Sequence, residues 1–209
     1  MRPFSRKRMA ALMPALLGVA SLIAFGQQGQ PSPDQSQPAQ SQSSEQQPMQ
    51  MKSMSAESEL LSKMHMANQM EIKAGQLAES KGTTPAIRTY GQLLVRDHSY
   101  ADKRITDLAK QQGIQLMQTP MPNSPDEKQK MDMQKQMMAG LEQAQGADFD
   151  RQFIEFNVKA HEMAVNMVSM GSQQLKPSPV KTLASKMVPI LKQHGDIAQH
   201  LEQRQVASR

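Results

Sequence analysis

Residues 149–168 read FDRQFIEFNVKAHEMAVNMV. Ile154, Val158, His161, Val165 and Val168 recur there at spacings of four and three. Phe149, Phe153, Phe156, Ala160 and Met167 form a second stripe beside them. This is the 3.6-residue period of a helix with a wide apolar face, and the two-residue alternation of a strand is absent. One member of the seam, His161, is ionisable, and its place among valines needs a reason.

The same period extends in both directions. A helix over Ala56 to Lys81 is expected, with Ser55 as cap, Glu57 and Glu59 in the first turn and Gly82 as stop. Thr84-Pro85 starts another, ending near Gly113, because Pro suits the first helical position. Ser124-Pro125-Asp126 opens a helix to about Gln145. Gly146 interrupts, and Asp148 is the expected cap of the helix that holds the opening stretch and runs to about Gln174. Ser178-Pro179 opens the last one, to about Gln205, with Pro189 inside it as an expected kink. The fold class is all-α: an antiparallel four-helix bundle with an extra helix between its two hairpins.

Three more seams match the first. One carries Leu60, Met64, Ala67, Glu71, Ala74 and Ala78; the next carries Ile87, Tyr90, Leu94, His98, Ala101, Ile105 and Leu108. The last carries Val180, Leu183, Met187, Leu191, His194, Ala198 and Leu201. Each seam holds one ionisable group: Glu71, His98, His161 or His194. At about 1.5 Å per residue, Glu71 and His98 lie ~16 and ~21 Å from their shared turn, and His161 and His194 lie ~20 and ~24 Å from theirs. An antiparallel bundle brings all four to its middle. Buried ionisable groups are costly unless paired or bound to a metal. Three imidazoles and a carboxylate can ligate one divalent transition ion. The alternative is a hydrogen-bonded polar layer that fixes packing. A di-iron site needs Glu three residues before His on two helices, but Val95 and Leu191 stand there.

Around this body the composition is uneven. The chain has 209 residues, 24 basic and 19 acidic, net +5. Residues 1–26 hold Arg2, Arg6, Lys7 and Arg8 and no acid, so the remainder has 20 basic and 19 acidic groups. A near-neutral body gives no case for nucleic acid. Cys and Trp are absent, which removes disulfides, thiolate ligands and thiol nucleophiles. Residues 1–26 read as a secretory signal, with Met9 to Phe25 mostly apolar and small residues around Ala24-Phe25-Gly26. An uncleaved inner-membrane anchor is the alternative. Periplasmic, outer-envelope or secreted placement follows. Residues 27–54 are rich in Gln, Ser and Pro and read as a disordered tether. The helical domain is then 55–206.

Two further features carry chemistry. Asp97 stands one position before His98 and is placed either to accept from a neighbouring imidazole or to pair with Arg104 or a lysine. Methionine is in excess, at 19 residues, and Met49, Met51, Met54, Met64, Met66 and Met70 cluster around His65. Thioethers suit Cu(I), while Met also serves as flexible core filler. His200 falls off its seam and is expected in solvent.

Four pieces carry a family resemblance. They are Glu71-Ile72-x-x-Gly75-x-Leu77-Ala78; Leu94-Val95-x-Asp97-His98; Phe149-Asp150-x-x-Phe153 followed by His161; and Pro189-x-Leu191-x-x-His194. In order and spacing they resemble the secreted bacterial ferritin-like family labelled domain of unknown function 4142, also called outer membrane proteins. The resemblance covers about residues 57–203. It implies a ferritin-like bundle behind an export signal and assigns no activity.

Three functions follow from the residues. The first is an exported bundle binding one divalent metal through Glu71, His98, His161 and His194. The second is a non-enzymatic envelope protein, structural or partner-binding, whose polar cluster only sets packing. The third is a periplasmic copper-binding protein that uses the Met-rich segment. No catalytic residue is assigned.

Overall fold

A computed structural model describes residues 55–119 and 121–207. The signal, the anchor alternative, the tether and Met49, Met51 and Met54 lie outside the described residues. Five helices and no strand occur among the described residues: α1 (Ala56–Lys81), α2 (Pro85–Gln111), α3 (Pro125–Gln143), α4 (Gly146–Gln174) and α5 (Pro179–Ala207).

The helix starts are chemical. Ser55 accepts from the Ser58 amide at 3.1 Å, Thr84 from Ile87 at 3.3 Å and Ser124 from Glu127 at 3.1 Å. Ser178 accepts from the Lys181 amide at 3.2 Å. Each cap satisfies one of the amides that a helix N-terminus leaves unpaired. The expected cap at Asp148 is corrected. Gly146 takes φ +59°, so the chain turns there and α4 begins three residues earlier, with Gln145 as its cap residue and no side-chain cap bond. A residue without Cβ reaches that φ without penalty.

Helix α1 lies along α2 and α4 along α5, and the two hairpins close on each other through α1 with α4 and α2 with α5. Helix α3 rests on α4, burying Met138 and Leu141. The α1–α2 approach is unusually close. A Cβ on Gly91 would come within 2.7 Å of both the Gly75 carbonyl oxygen and the Ala78 Cβ. The reciprocal Cβ on Gly75 would meet the Gly91 oxygen at 2.7 Å. Only glycine at both positions lets these backbones touch. The α1–α2 turn is tied to α4, since Asp150 accepts from the Thr83 amide at 2.9 Å and from its hydroxyl.

The core divides in two. One part gathers Phe149, Phe153, Phe156, Tyr90, Leu94 and Leu141. The other gathers Leu60, Leu61, Met64, Ile105, Val180 and Leu183. Burying each large apolar side chain contributes about 1.5–3 kcal/mol. Along each of α1, α2, α4 and α5 the polar seam residue falls between the two apolar parts. Among the described residues, no helix is long and apolar enough to cross a membrane.

Candidate metal centre

His98 from α2, His161 from α4 and His194 from α5 meet in the layer between the two core parts, all buried. Their ring centroids form a near-equilateral triangle: 5.5 Å from His98 to His161, 5.2 Å from His98 to His194 and 5.4 Å from His161 to His194. One nitrogen from each lies within 4.8 Å of the other two, a spacing that three ligands of one ion can adopt.

The outward nitrogens decide the protonation. His161 Nδ1 donates to the Asn157 carbonyl oxygen at 2.9 Å, one helical turn earlier. A carbonyl only accepts, so Nδ1 carries the hydrogen and Nε2 presents a lone pair. That Nε2 is buried without a hydrogen-bond partner. His98 Nδ1 lies 2.8 Å from Asn68 Oδ1. The Asn68 amide donates to the Met64 carbonyl at 2.7 Å, which orients Oδ1 as the acceptor facing His98. His194 Nε2 lies 3.1 Å from Asp97 Oδ2. Arg96, donating to Asp97 at 2.7 Å, holds that carboxyl below the usual carboxylate range, so it accepts from His194. Three acceptors on the outside therefore leave three lone pairs on the inside.

The electrostatics agree. Burial pushes His98 well below its ordinary value, with the two neighbouring imidazoles adding to the effect. Burial takes His161 down to about 4, and His194 is lowered by the same cause. Neutral imidazole is the form that ligates.

Glu71 is also buried in this layer, but off the triangle. Its Oε1 lies 3.9 Å from His161 Nδ1, the outward nitrogen, and its Oε2 has no partner. Burial raises its carboxyl to about 8. Glu71, His98, His161 and His194 are thus all buried along one cavity. Among the described residues, the group that meets the ligand spacing is the three histidines without Glu71. Tyr90 donates to the His194 backbone oxygen at 2.9 Å and braces α5 against α2 at this level.

A cavity of about 470 Å³ borders the centre, reached by His98, His161, His194 and Glu71 and walled in part by Met64, Met167 and Met187. Other sequence expectations resolve individually. Asp97 contacts both an imidazole and a cation, but the cation is Arg96; Arg104 turns to Tyr100, 5.8 Å from its ring. His65 pairs with Asp102 at 2.6 Å, and Gln69 donates to the other carboxylate oxygen. His200 is exposed. Asn68 and Asn157 were not singled out by sequence. Each is a buried amide on a helix, and Asn157 stands four residues before His161, which was the available signal.

Fold and site together define a helical-bundle protein with a buried three-histidine layer. The chain belongs to the family described as domain of unknown function (DUF4142), whose model matches residues 38–201. No curated protein matches the sequence. Among solved structures, a DUF305 fragment from Deinococcus radiodurans is similar at TM-score 0.62 and 15% identity, covering 71% of this chain and 96% of that one. CopM in its Cu(I)-bound form is similar at TM-score 0.56 and 17% identity, over 71% of this chain and 96% of that one. The Ag-bound form of CopM gives TM-score 0.53 and 19% identity, over 71% and 95%. At these identities the likeness is one of fold.

Proposed function

We propose that this is an exported metal-binding protein of the ferritin-like four-helix type. His98, His161 and His194 hold one divalent transition ion, and Glu71 stands beside them as counter-charge and reserve ligand. The carrying observation is the set of three outward acceptors, Asn68, Asn157 and Asp97. A layer built only for packing would pair its inner nitrogens with donors. Here His98 Nε2 and His194 Nδ1 lie 3.3 Å apart, and His161 Nε2 has no partner. Such outer hydrogen bonds fix the tautomer and raise the basicity of metal-ligating histidines. Elemental analysis and calorimetric titration of the purified chain test this. One equivalent of Zn(II) or Co(II) is expected, lost in His98→Ala and His161→Ala. Unchanged stoichiometry in both variants, or no metal at all, would return the cluster to a packing role in an envelope protein.

A soft ion is the second reading. Met64, Met167 and Met187 thioethers wall the cavity that the three imidazoles also line. Sulfur donors favour Cu(I). The solved CopM forms with Cu(I) and Ag, similar in fold, support this direction. Competition against a chromogenic Cu(I) chelator, in the wild type and in Met64→Leu with Met187→Leu, separates the two readings. Cu(I) affinity that falls in the double variant favours copper.

A further inference from the structure

We propose that the cavity beside the three-histidine centre binds a small amphipathic monoanion, a short-chain carboxylate, whose charged end completes the coordination of the ion and whose chain lies on the thioether wall. This rests on the divalent-metal reading above.

Three observations lead to it. The first is coordination. Three imidazoles supply one side of an ion, and transition ions of this kind commonly take a fourth ligand, which in ligand-binding centres comes from outside the protein. The His161 Nε2 and Glu71 Oε2 atoms, both buried without partners, belong to residues that line the cavity.

The second is charge. Three neutral imidazoles cancel none of a 2+ charge. Whether Glu71 is ionised or protonated, the centre keeps at least one positive charge. Asp97 is already shared with Arg96. An uncompensated charge between two apolar core parts is costly, and an entering anion removes it. Arg104 and Lys186, exposed residues that also line the cavity, have no carboxylate partner among the described residues and would draw an anion inward.

The third is shape. About 470 Å³ lies within the range of small-molecule sites, which is roughly 300–1,000 Å³. Its walls are apolar, with Met64, Met167, Leu183 and Met187, while Ala164 leaves room and Ile190 forms a half-exposed edge. A simple inorganic anion would leave that wall against water. A chain of several methylenes would cover it.

The test uses the full chain loaded with Co(II), whose visible bands report coordination. Acetate, butyrate and hexanoate are titrated in turn. Saturable band shifts are expected, with affinity rising about fourfold per added methylene. Ala164→Phe should flatten that rise and keep the Co(II) bands. Should that variant fail to fold, Ile190→Glu, on the exposed edge, should weaken hexanoate binding by repulsion. Bands that hexanoate does not move, or equal affinities for acetate and hexanoate, overturn the carboxylate site and leave the metal reading standing. Absence of Co(II) bands overturns the metal reading and the site with it.

Discussion

His98 Nε2 and His194 Nδ1 face each other at 3.3 Å across the centre of the bundle. Each ring has its other nitrogen turned outward, His98 to Asn68 and His194 to Asp97. Both outward partners accept, so both inward nitrogens carry lone pairs. Two lone pairs at this separation repel, and the cation proposed above would relieve that repulsion.

Removing an outer acceptor should therefore cost metal affinity while sparing the ligands. Asp97→Ala frees His194 to change tautomer and is expected to weaken Zn(II) binding by about 10–100-fold. Asn68→Ala should do the same through His98. A competition titration against a chelator of known affinity reads this. Variants that bind as tightly as the wild type would mean that the outward bonds do not set the tautomers.

The metal should stabilise the fold by mass action. At a free concentration a hundred times its dissociation constant, the ion adds about 2.7 kcal/mol. His161→Leu is expected to abolish this gain. Its metal-free form should be as stable as the wild type or more so, because an unpartnered buried nitrogen is replaced by hydrocarbon. Chemical denaturation with and without Zn(II), in both proteins, measures the difference.

Stability of the metal-free protein should depend on pH in two opposing ways. Glu71 sits at about 8 in the fold against an ordinary value of 4.5, so the folded state holds a proton that the unfolded chain releases. Its contribution is full below pH 4.5 and is lost as pH rises to about 8. His161 is at about 4 against 6.5, so the unfolded chain takes up a proton that the fold refuses. That lowers stability as pH falls from 6.5 towards 4, and the lowered His98 and His194 act in the same sense. Between pH 6.5 and 8 the histidine effect fades, because the unfolded imidazoles lose their remaining protons there, and the Glu71 effect takes over. Glu71→Gln should flatten the decline in this interval, read as the urea midpoint at the two pH values in the presence of a chelator. A variant that declines as steeply as the wild type would show that Glu71 is not the group titrating.

The glycine contact between α1 and α2 should tolerate nothing larger. Gly91→Ala places a methyl within 2.7 Å of the Gly75 oxygen and the Ala78 Cβ, and both neighbours belong to a packed helix. A loss of about 1–3 kcal/mol is expected, the usual range for overpacking. Urea unfolding should show a lower midpoint with an unchanged slope. Metal affinity should fall as well, because Asn68 on α1 and His98 on α2 must stay 2.8 Å apart for the tautomer to hold.

What the sequence alone determined is local or periodic. Helix starts were legible at Ser55, Thr84, Ser124 and Ser178 because a cap is a bond over three residues. The start at Gly146 was missed because it depends on a backbone angle rather than on a side chain. The 3/4 seams showed which face of each helix is buried, and the rise per residue placed Glu71, His98, His161 and His194 at one depth. The Asn157–His161 bond also lay within reach, being one turn of a single helix. The tertiary structure decided the rest. Depth says nothing of which ring nitrogen points inward. That is settled between helices, by Asn68 of α1 on His98 of α2 and by Asp97 of α2 on His194 of α5. It also placed Glu71 at the outer edge of His161 rather than among the inward nitrogens, since the side-chain direction follows from how α1 meets α4. The rotation and closeness of packed helices, set here partly by Gly75 against Gly91, have no period in one chain, and they turned four polar residues into a centre of three with a fourth beside it.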